Sequence, residues 1–313
     1  MEATKKTFGK KLKKDAKRNW VLYLMILPVI VYFVIFNYIP MAGIAMAFQE
    51  VNIAKGIFGG EWIGWKNFET YFSGVYFNRT MLNTLIFSIL GTVFTFPAPI
   101  ILALMLHGVA SKGYKRVIQT LSYLPYFISL VVVCGLIKEF VGPEGFIGGF
   151  FIKSGLIAED TSLLLYKQYF RPIIIISDIW QGTGFSSIIY VAALSSIDPT
   201  LYEAAAIDGA ERSAKLFHIT LPSILPMIMM MLTLRMGSLL NVGFDKIVAL
   251  YNAETREVGE TIGSYVYQMS FGSGANANYG LSTAVGLFNS AASLILLFIS
   301  NWLSKKFTSY GLI

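Results

Sequence analysis

Read for hydropathy alone, the chain alternates apolar runs with polar connections. Six runs predict membrane-spanning helices, at about 20–39, 81–106, 117–137, 172–194, 222–244 and 279–303. Each holds roughly 20 residues or more, which as helix rises about 30 Å, the thickness of a bilayer's hydrocarbon. Pro97 and Pro99 fall in the second run and Pro125 in the third, so kinks are expected there. The connection 49–79 carries Trp62, Trp65, Tyr71 and Tyr76, residues that favour the headgroup level. Its Asn78-Arg79-Thr80 sequon is expected in a membrane-proximal loop. The stretch 138–168, with Gly142, Pro143, Gly145, Gly148 and Gly149, reads as an outer loop with a short surface helix. The stretch 245–278 reads as a second outer segment with an amphipathic piece over 262–269.

One connection differs from the rest. Residues 201–226, LYEAAAIDGAERSAKLFHITLPSILP, read as helical without reading as a span. Glu203 and Ala204–Ala206 are good helix formers. Asp208-Gly209 then punctuates, because glycine accepts turn geometry that other residues resist. A second amphipathic piece over 210–219 ends at Leu221-Pro222, where proline can open a helix but not sit inside one. The expectation is an elbow over 201–222: helix, sharp turn, short helix, then the fifth span.

Composition agrees with a membrane solvent. The chain is 55% hydrophobic and 14% charged, against about 25% charged for a soluble domain. Net charge is +7, but its placement argues against a nucleic-acid tract. Eight Lys/Arg lie between Lys5 and Arg18, ahead of the first apolar run, where they suit anionic headgroups. That run exceeds a signal-peptide core and reads as an uncleaved helix. The proposed inner segments hold fifteen Lys/Arg and the longer outer ones nine, while acids run six inside and eleven outside. The positive-inside rule therefore places both termini and the elbow in the cytoplasm. The domain reading is a cytoplasmic basic segment, 1–19, and a single transmembrane domain, 20–313.

No catalytic or metal chemistry is evident. The sequence has no G-x-x-x-x-G-K-[ST] and no H-E-x-x-H, and its only histidines are His107 and His218, which support no metal set. The single cysteine, Cys134, sits in an apolar run and reads as packing.

The elbow also carries a resemblance. Glu203-Ala204-Ala205, Gly209, and Ile219 with Leu221-Pro222, joined by Asp208, Ala210, Phe217 and Pro226, resemble the EAA motif of ABC-importer membrane subunits. Nearly the whole chain resembles the carbohydrate permeases of the MalF-like and LplB-like polysaccharide type. It lacks the extra helices and large external domain of MalF itself, so it is closer to the compact LplB-like form. The resemblance implies an all-α polytopic protein: six transmembrane helices in a type I importer (MetI-like) fold, with a cytoplasmic coupling helix. It further implies a second, related permease subunit, two ATPase subunits that hold ATP and magnesium, and an external sugar-binding lipoprotein. Glu203, Ala204, Ala205, Asp208, Gly209, Phe217, Leu221 and Pro222 would then transmit ATPase motion, with Phe217 filling a pocket between subunits. A solvated interfacial hairpin is the plainer alternative for the same residues.

A path for cargo needs polar groups at membrane depth, which are costly unless they face protein or a cavity. The candidates are Asp178, Trp180 and Gln181 in the fourth span, Arg235, Asn241 and Asp245 in the fifth, and Asn289 in the sixth. Aromatic faces stack on sugar C–H surfaces and amides bind hydroxyls, which suits a neutral oligosaccharide. Mutual pairing of Asp178 with Arg235 is the structural alternative. Rival solutes on the same fold include a glycerol phosphate. A self-contained secondary transporter would instead call for internal repeats and broken helices, which the sequence does not display.

Overall fold

The computed structural model describes residue 15 and residues 17–272 and 277–308; most of the expected basic leader lies outside these. Helix α1 (Trp20–Phe48) passes from α-helix through a π-helical turn at Val34–Tyr38 into a 3₁₀ stretch at Ile39–Phe48. Its first half buries nothing, while its 3₁₀ end packs against the last helix. A two-stranded ribbon follows, β1 (Gln49–Glu50) antiparallel to β2 (Glu61–Trp62), then α2 (Lys66–Ser73). Helix α3 (Val75–His107) is continuous but contains a π-turn at Gly91–Thr95, and Pro97 restarts the α-helix as its first residue. The two prolines are absorbed at a helix start, where a missing N–H costs little.

Helices α4 (Lys112–Tyr123), α5 (Leu130–Val141) and α6 (Phe146–Lys153) come next. Helix α7 (Lys167–Ser195) is the 29-residue central strut. It packs against α3 around Ala103, Tyr190, Leu194 and Ile224. Helix α8 (Pro199–Ile207) is followed by the long α9 (Arg212–Gly237). Three shorter helices, α10 (Phe244–Leu250), α11 (Arg256–Gly259) and α12 (Ile262–Phe271), precede α13 (Tyr279–Thr308). The expected amphipathic piece at 262–269 is α12.

Several sequence expectations need correction. The second span begins at Val75, so the Asn78-Arg79-Thr80 sequon lies inside a helix, with Thr80 fully buried. The third span is not one rod. It breaks at Ile128-Ser129 and the two halves meet at 101°. Pro125 removes a backbone donor and leaves only a 3₁₀ turn, and Ser129 caps the next helix. The fifth span begins at Arg212 and ends at Gly237, not at residue 244. In place of a separate second elbow helix, 212–237 runs unbroken through a π-turn at Leu216–Thr220, and Pro222 sits within it. A π-turn relaxes the ladder that a proline would otherwise disrupt. The broken helices that sequence reading had assigned to secondary transporters are therefore present here.

Among the described residues, four helices are long and apolar enough to cross a membrane, or five when the bent α4–α6 unit counts as one. The expectation of an all-α polytopic membrane protein holds, but the count is four or five such helices rather than six. Helix α7 has the length but not the hydropathy, because Ser177, Asp178, Gln181, Thr183 and Ser187 interrupt it.

The end of the bundle remote from α8 is fastened by a buried carboxylate. Glu260 is fully buried and pairs with Arg79 of α3 and with Arg256, whose Nη2 donates at 2.8 Å. Asn83 donates to the backbone oxygens of Glu257 and Glu260 at 2.8 and 3.0 Å and accepts from Arg171 at 2.8 Å. This network ties α3, α7 and α11 together. A buried charge is tolerable only with such pairing.

Candidate functional site

Two regions stand out, and one helix joins them. The first is the elbow. Asp198 caps α8 by accepting the backbone N–H of Thr200 at 2.9 Å, with Pro199 as the first helical residue. Those bonds to the ionised carboxylate hold its pKa below the usual value. Helix α8 ends at Ile207 with Asp208 as its C-cap, and Gly209 just beyond has φ +72°. Ala210 N–H reaches Ala205 O at 2.8 Å and Gly209 N–H reaches Ala206 O at 3.2 Å. That pair of bonds is a Schellman closure, which requires the left-handed residue glycine supplies. Tyr202 anchors the helix from inside, sharing a hydrogen bond with Thr220 at 2.9 Å.

No residue of α8 is buried. Glu203, Ala204, Asp208 and Gly209 are exposed and Ala205 is half-buried. Ile207 is 88% exposed and Phe217 63%. Leu221 is half-buried and Pro222 exposed, at the foot of the same face. Apolar side chains so open on a polar surface suit a protein partner.

The second region is a polar cavity of about 440 Å³. Asp178 and Gln181 reach it from α7, Arg235 from α9, and Asn241 from the segment after α9. It lies level with Gly91, the midpoint of α3, and Gln181, the midpoint of α7. Residues 238–243 form part of its wall without helical structure. Irregular backbone at such depth is tolerated where it lines a cavity or is held by protein. Ser88 donates to Leu239 O, and Asn289 donates to Asn241 Oδ1 at 2.8 Å.

Asp178 and Arg235 do not pair. Asp178 is taken by Lys246, whose buried ammonium lies 2.6 Å from Oδ1 and also meets Ser177 Oγ at 3.3 Å. The competing lysine went unremarked because the sequence placed it in an outer loop. Arg235 donates through Nε to Thr92 Oγ1 at 3.3 Å. Its Nη2 occupies the hollow beside Gly91, where a β-carbon would stand 2.4 Å away. Gln181 donates to Ile128 O, at 3.5 Å, across the break between α4 and α5.

Two of the seven candidates fall elsewhere. Trp180 lines a separate apolar hollow with Leu136, Phe140 and Ile173, because adjacent helical residues point about 100° apart. Asp245 is exposed in the first turn of α10, outside the cavity wall, since the preceding helix ends seven residues earlier than expected. Sequence reading missed Ser88, Thr92 and Thr95 on α3, although polar residues at i, i+4 and i+7 in an apolar run are such a signal.

Toward the elbow, a second cavity of about 650 Å³ shares Thr95, Tyr126, Gly182 and Arg235 with the first. At this junction Tyr126 stacks on Phe185, with ring centroids 4.0 Å apart and planes at 5°. The hydroxyls of Thr95 and Thr183 are buried and find no protein partner. Helix α9 carries Arg235 at one end and begins three residues after Gly209 at the other.

Comparison with known proteins agrees with this geometry. The family described as binding-protein-dependent transport system inner membrane component matches residues 95–309. The chain is 41% identical over 296 residues to the protein LplB of Bacillus subtilis (strain 168), covering 95% of this chain and 92% of that one. It is also 41% identical over 316 residues to the polygalacturonan/rhamnogalacturonan transport system permease protein YteP of the same organism, covering 98% and 95%. Among solved structures, a chain of a bacterial ABC transporter involved in the import of the acidic polysaccharide alginate superposes with a TM-score of 0.86. The two are 42% identical, over 95% of this chain and 99% of that one.

Proposed function

The chain belongs to the binding-protein-dependent transport system inner membrane component family, and from that premise we propose how it moves its cargo. It is a transmembrane permease subunit of a carbohydrate ABC importer, a multi-pass membrane protein rather than an enzyme. Its cargo is an oligosaccharide released from a polysaccharide, and this chain forms half of the path. The chain crosses the membrane six times, counting the polar α7 and the bent α4–α6 unit, in a type I importer arrangement. Charge distribution supports cytoplasmic termini and a cytoplasmic elbow.

The observation that carries this reading is α9. One unbroken helix of 26 residues, about 39 Å long, connects the exposed elbow to the cavity wall. Two ATPase subunits bind ATP and magnesium, close on one another, and carry α8 with them through Glu203, Ala204, Ala205, Asp208 and Phe217. Gly209 lets α8 fold back on α9, so the thrust passes through Leu221 and Pro222 along α9. The cavity wall at Arg235 and 238–243 then shifts, and the cavity opens alternately to the two sides. A second, related permease chain supplies the opposite wall, and a lipid-tethered sugar-binding protein delivers the cargo from outside. Asp178, Gln181, Arg235, Asn241 and Asn289 line or brace the path. The change is a shift between two packings, biased by nucleotide.

Purification of the native complex followed by reconstitution in liposomes tests this. Co-purification of an ATPase, with sugar-dependent hydrolysis and uptake, is the expected result. Glu203→Ala should keep hydrolysis and lose uptake. A chain that purifies alone and moves solute down an ion gradient would sink the reading.

A further inference from the structure

On its C-terminal side α8 is joined to α9 by residues 208–211, where Gly209 stands at φ +72° with open space around it. A glycine hinge absorbs a rotation as readily as it passes one on. A push on α8 therefore needs a firmer link to the bundle, and Tyr202 makes one. Its hydroxyl lies 2.9 Å from Oγ1 of the buried Thr220. The single hydroxyl proton of Thr220 goes to Lys215 O at 3.2 Å, so Tyr202 is the donor and Thr220 Oγ1 the acceptor. This relay ends on the π-turn of α9. There the Leu221 N–H reaches back five residues to Leu216 O, and the turn holds one residue more than an α-helical turn. The Tyr202 ring also faces that of His107, the last residue of α3, with centroids 5.9 Å apart. One side chain of the elbow thus touches both α9, which carries Arg235 to the cavities, and α3, which carries Thr95 there. The other polar side chains of α8 make no such link: Thr200 serves the Asp198 cap and Glu203 is exposed.

We propose that Tyr202 is the positioning residue that ties α8 to the bundle, and that its hydroxyl, through Thr220, fixes the register of α9 at the π-turn. A π-turn is where a helix yields most easily. Expelling its extra residue would turn the segment nearer the elbow by about 100° and shift it by about 1.5 Å relative to Arg235. With Thr220 held on both sides, a displacement of α8 reaches α9 as motion of the whole rod. With the relay broken, the π-turn and Gly209 take up the displacement, and the cavity wall stays where it was. Loss of one phenolic hydroxyl should therefore separate events at the elbow from events at the cavity. The proposal rests on the reading of α8 as the element that the ATPase moves.

The full complex in liposomes tests it, with two readouts. One is the rate of ATP hydrolysis. The other is the change in thiol labelling at Ser238→Cys on the cavity wall, in a Cys134→Ala background, when a non-hydrolysable ATP analogue is added. Tyr202→Phe keeps the ring against His107 and removes only the donor. It should leave hydrolysis running while the labelling change shrinks by about two- to tenfold, the scale of one hydrogen bond. Thr220→Val, similar in shape, should shrink it equally, and the two substitutions together no further, because both break the same link. Thr220→Ser, which keeps a hydroxyl, should retain the full change. A full labelling change in Tyr202→Phe overturns the proposal. So does a parallel loss of hydrolysis and labelling, or an additive effect of the pair, since either marks a merely structural role. If Tyr202→Phe fails to assemble, the Thr220 variants decide: loss with valine and retention with serine support the relay, and equal behaviour of the two overturns it. Glu203→Arg separates the two readings. If it abolishes the labelling change and Tyr202→Phe does not, Tyr202 loses its role and α8 keeps its own. If neither alters it, the reading of α8 itself fails.

Discussion

Gly209 holds φ at +72° with nothing within 4 Å of the position a β-carbon would take, so the cost of substituting it is purely conformational. Alanine there should loosen the end of α8 by about 1 kcal/mol, and asparagine by less. Hydrogen exchange of the Gly209 and Ala210 amides checks this, and unchanged protection in Gly209→Ala would contradict it. Glu260 sets the opposite case, a charge with no exposure held by two guanidinium groups. Glu260→Ala leaves both arginines half-buried and unmatched, and should cost about 3 kcal/mol or more. A thermal unfolding midpoint in detergent equal to that of the wild type would refute that estimate. At this scale the turn at Gly209 was legible, because glycine accepts the left-handed geometry that ends a helix, whereas Pro222 misled, since it sits within a continuous helix. The partner of Asp178 was not legible, because Lys246 is 68 residues away and only the folded chain brings them together.

Elements were legible where pattern and length agreed, and misjudged where a helix changed character partway. Hydropathy cannot see a π-turn, so the second elbow helix and the fifth span appeared as two pieces although they are one rod. It also cannot see the stop at Gly237, because Leu239, Leu240 and Val242 remain apolar in a stretch that is not helical. Pro125 was expected to kink its span and instead divides it, since Ser129 is ready to cap a new helix. Helix α8 depends on its cap, which gives it a pH response. Asp198 has its pKa lowered by the Thr200 backbone N–H. Its contribution is therefore present above the ordinary carboxylate pKa and is lost as pH falls through the lower, folded value. Amide exchange of α8, corrected for intrinsic rates, should accelerate on acidification through that window. Asp198→Asn, which keeps an acceptor but cannot titrate, should remove the dependence; persistence of the acid response in that variant would exclude the cap as its source.

For the whole molecule, the class was legible from composition and the family from the elbow, while the number of apolar spans was not. The strut α7 is polar because it lines the cavity, so the feature that hides it from a hydropathy count is the one its position requires. In the proposed mechanism the exposed elbow, the unbroken α9 and the polar cavity form one mechanical line, so nucleotide at one end should change access at the other. The direct measurement is thiol labelling from the outer side at Ser238→Cys, a residue on the cavity wall, in a Cys134→Ala background that removes the one native thiol. It is made on the assembled complex, with and without a non-hydrolysable ATP analogue. Labelling should change several-fold on nucleotide binding, and the change should vanish with Glu203→Arg although nucleotide still binds. Labelling that ignores nucleotide when the elbow is intact, or responds to it equally when the elbow is altered, would contradict the account.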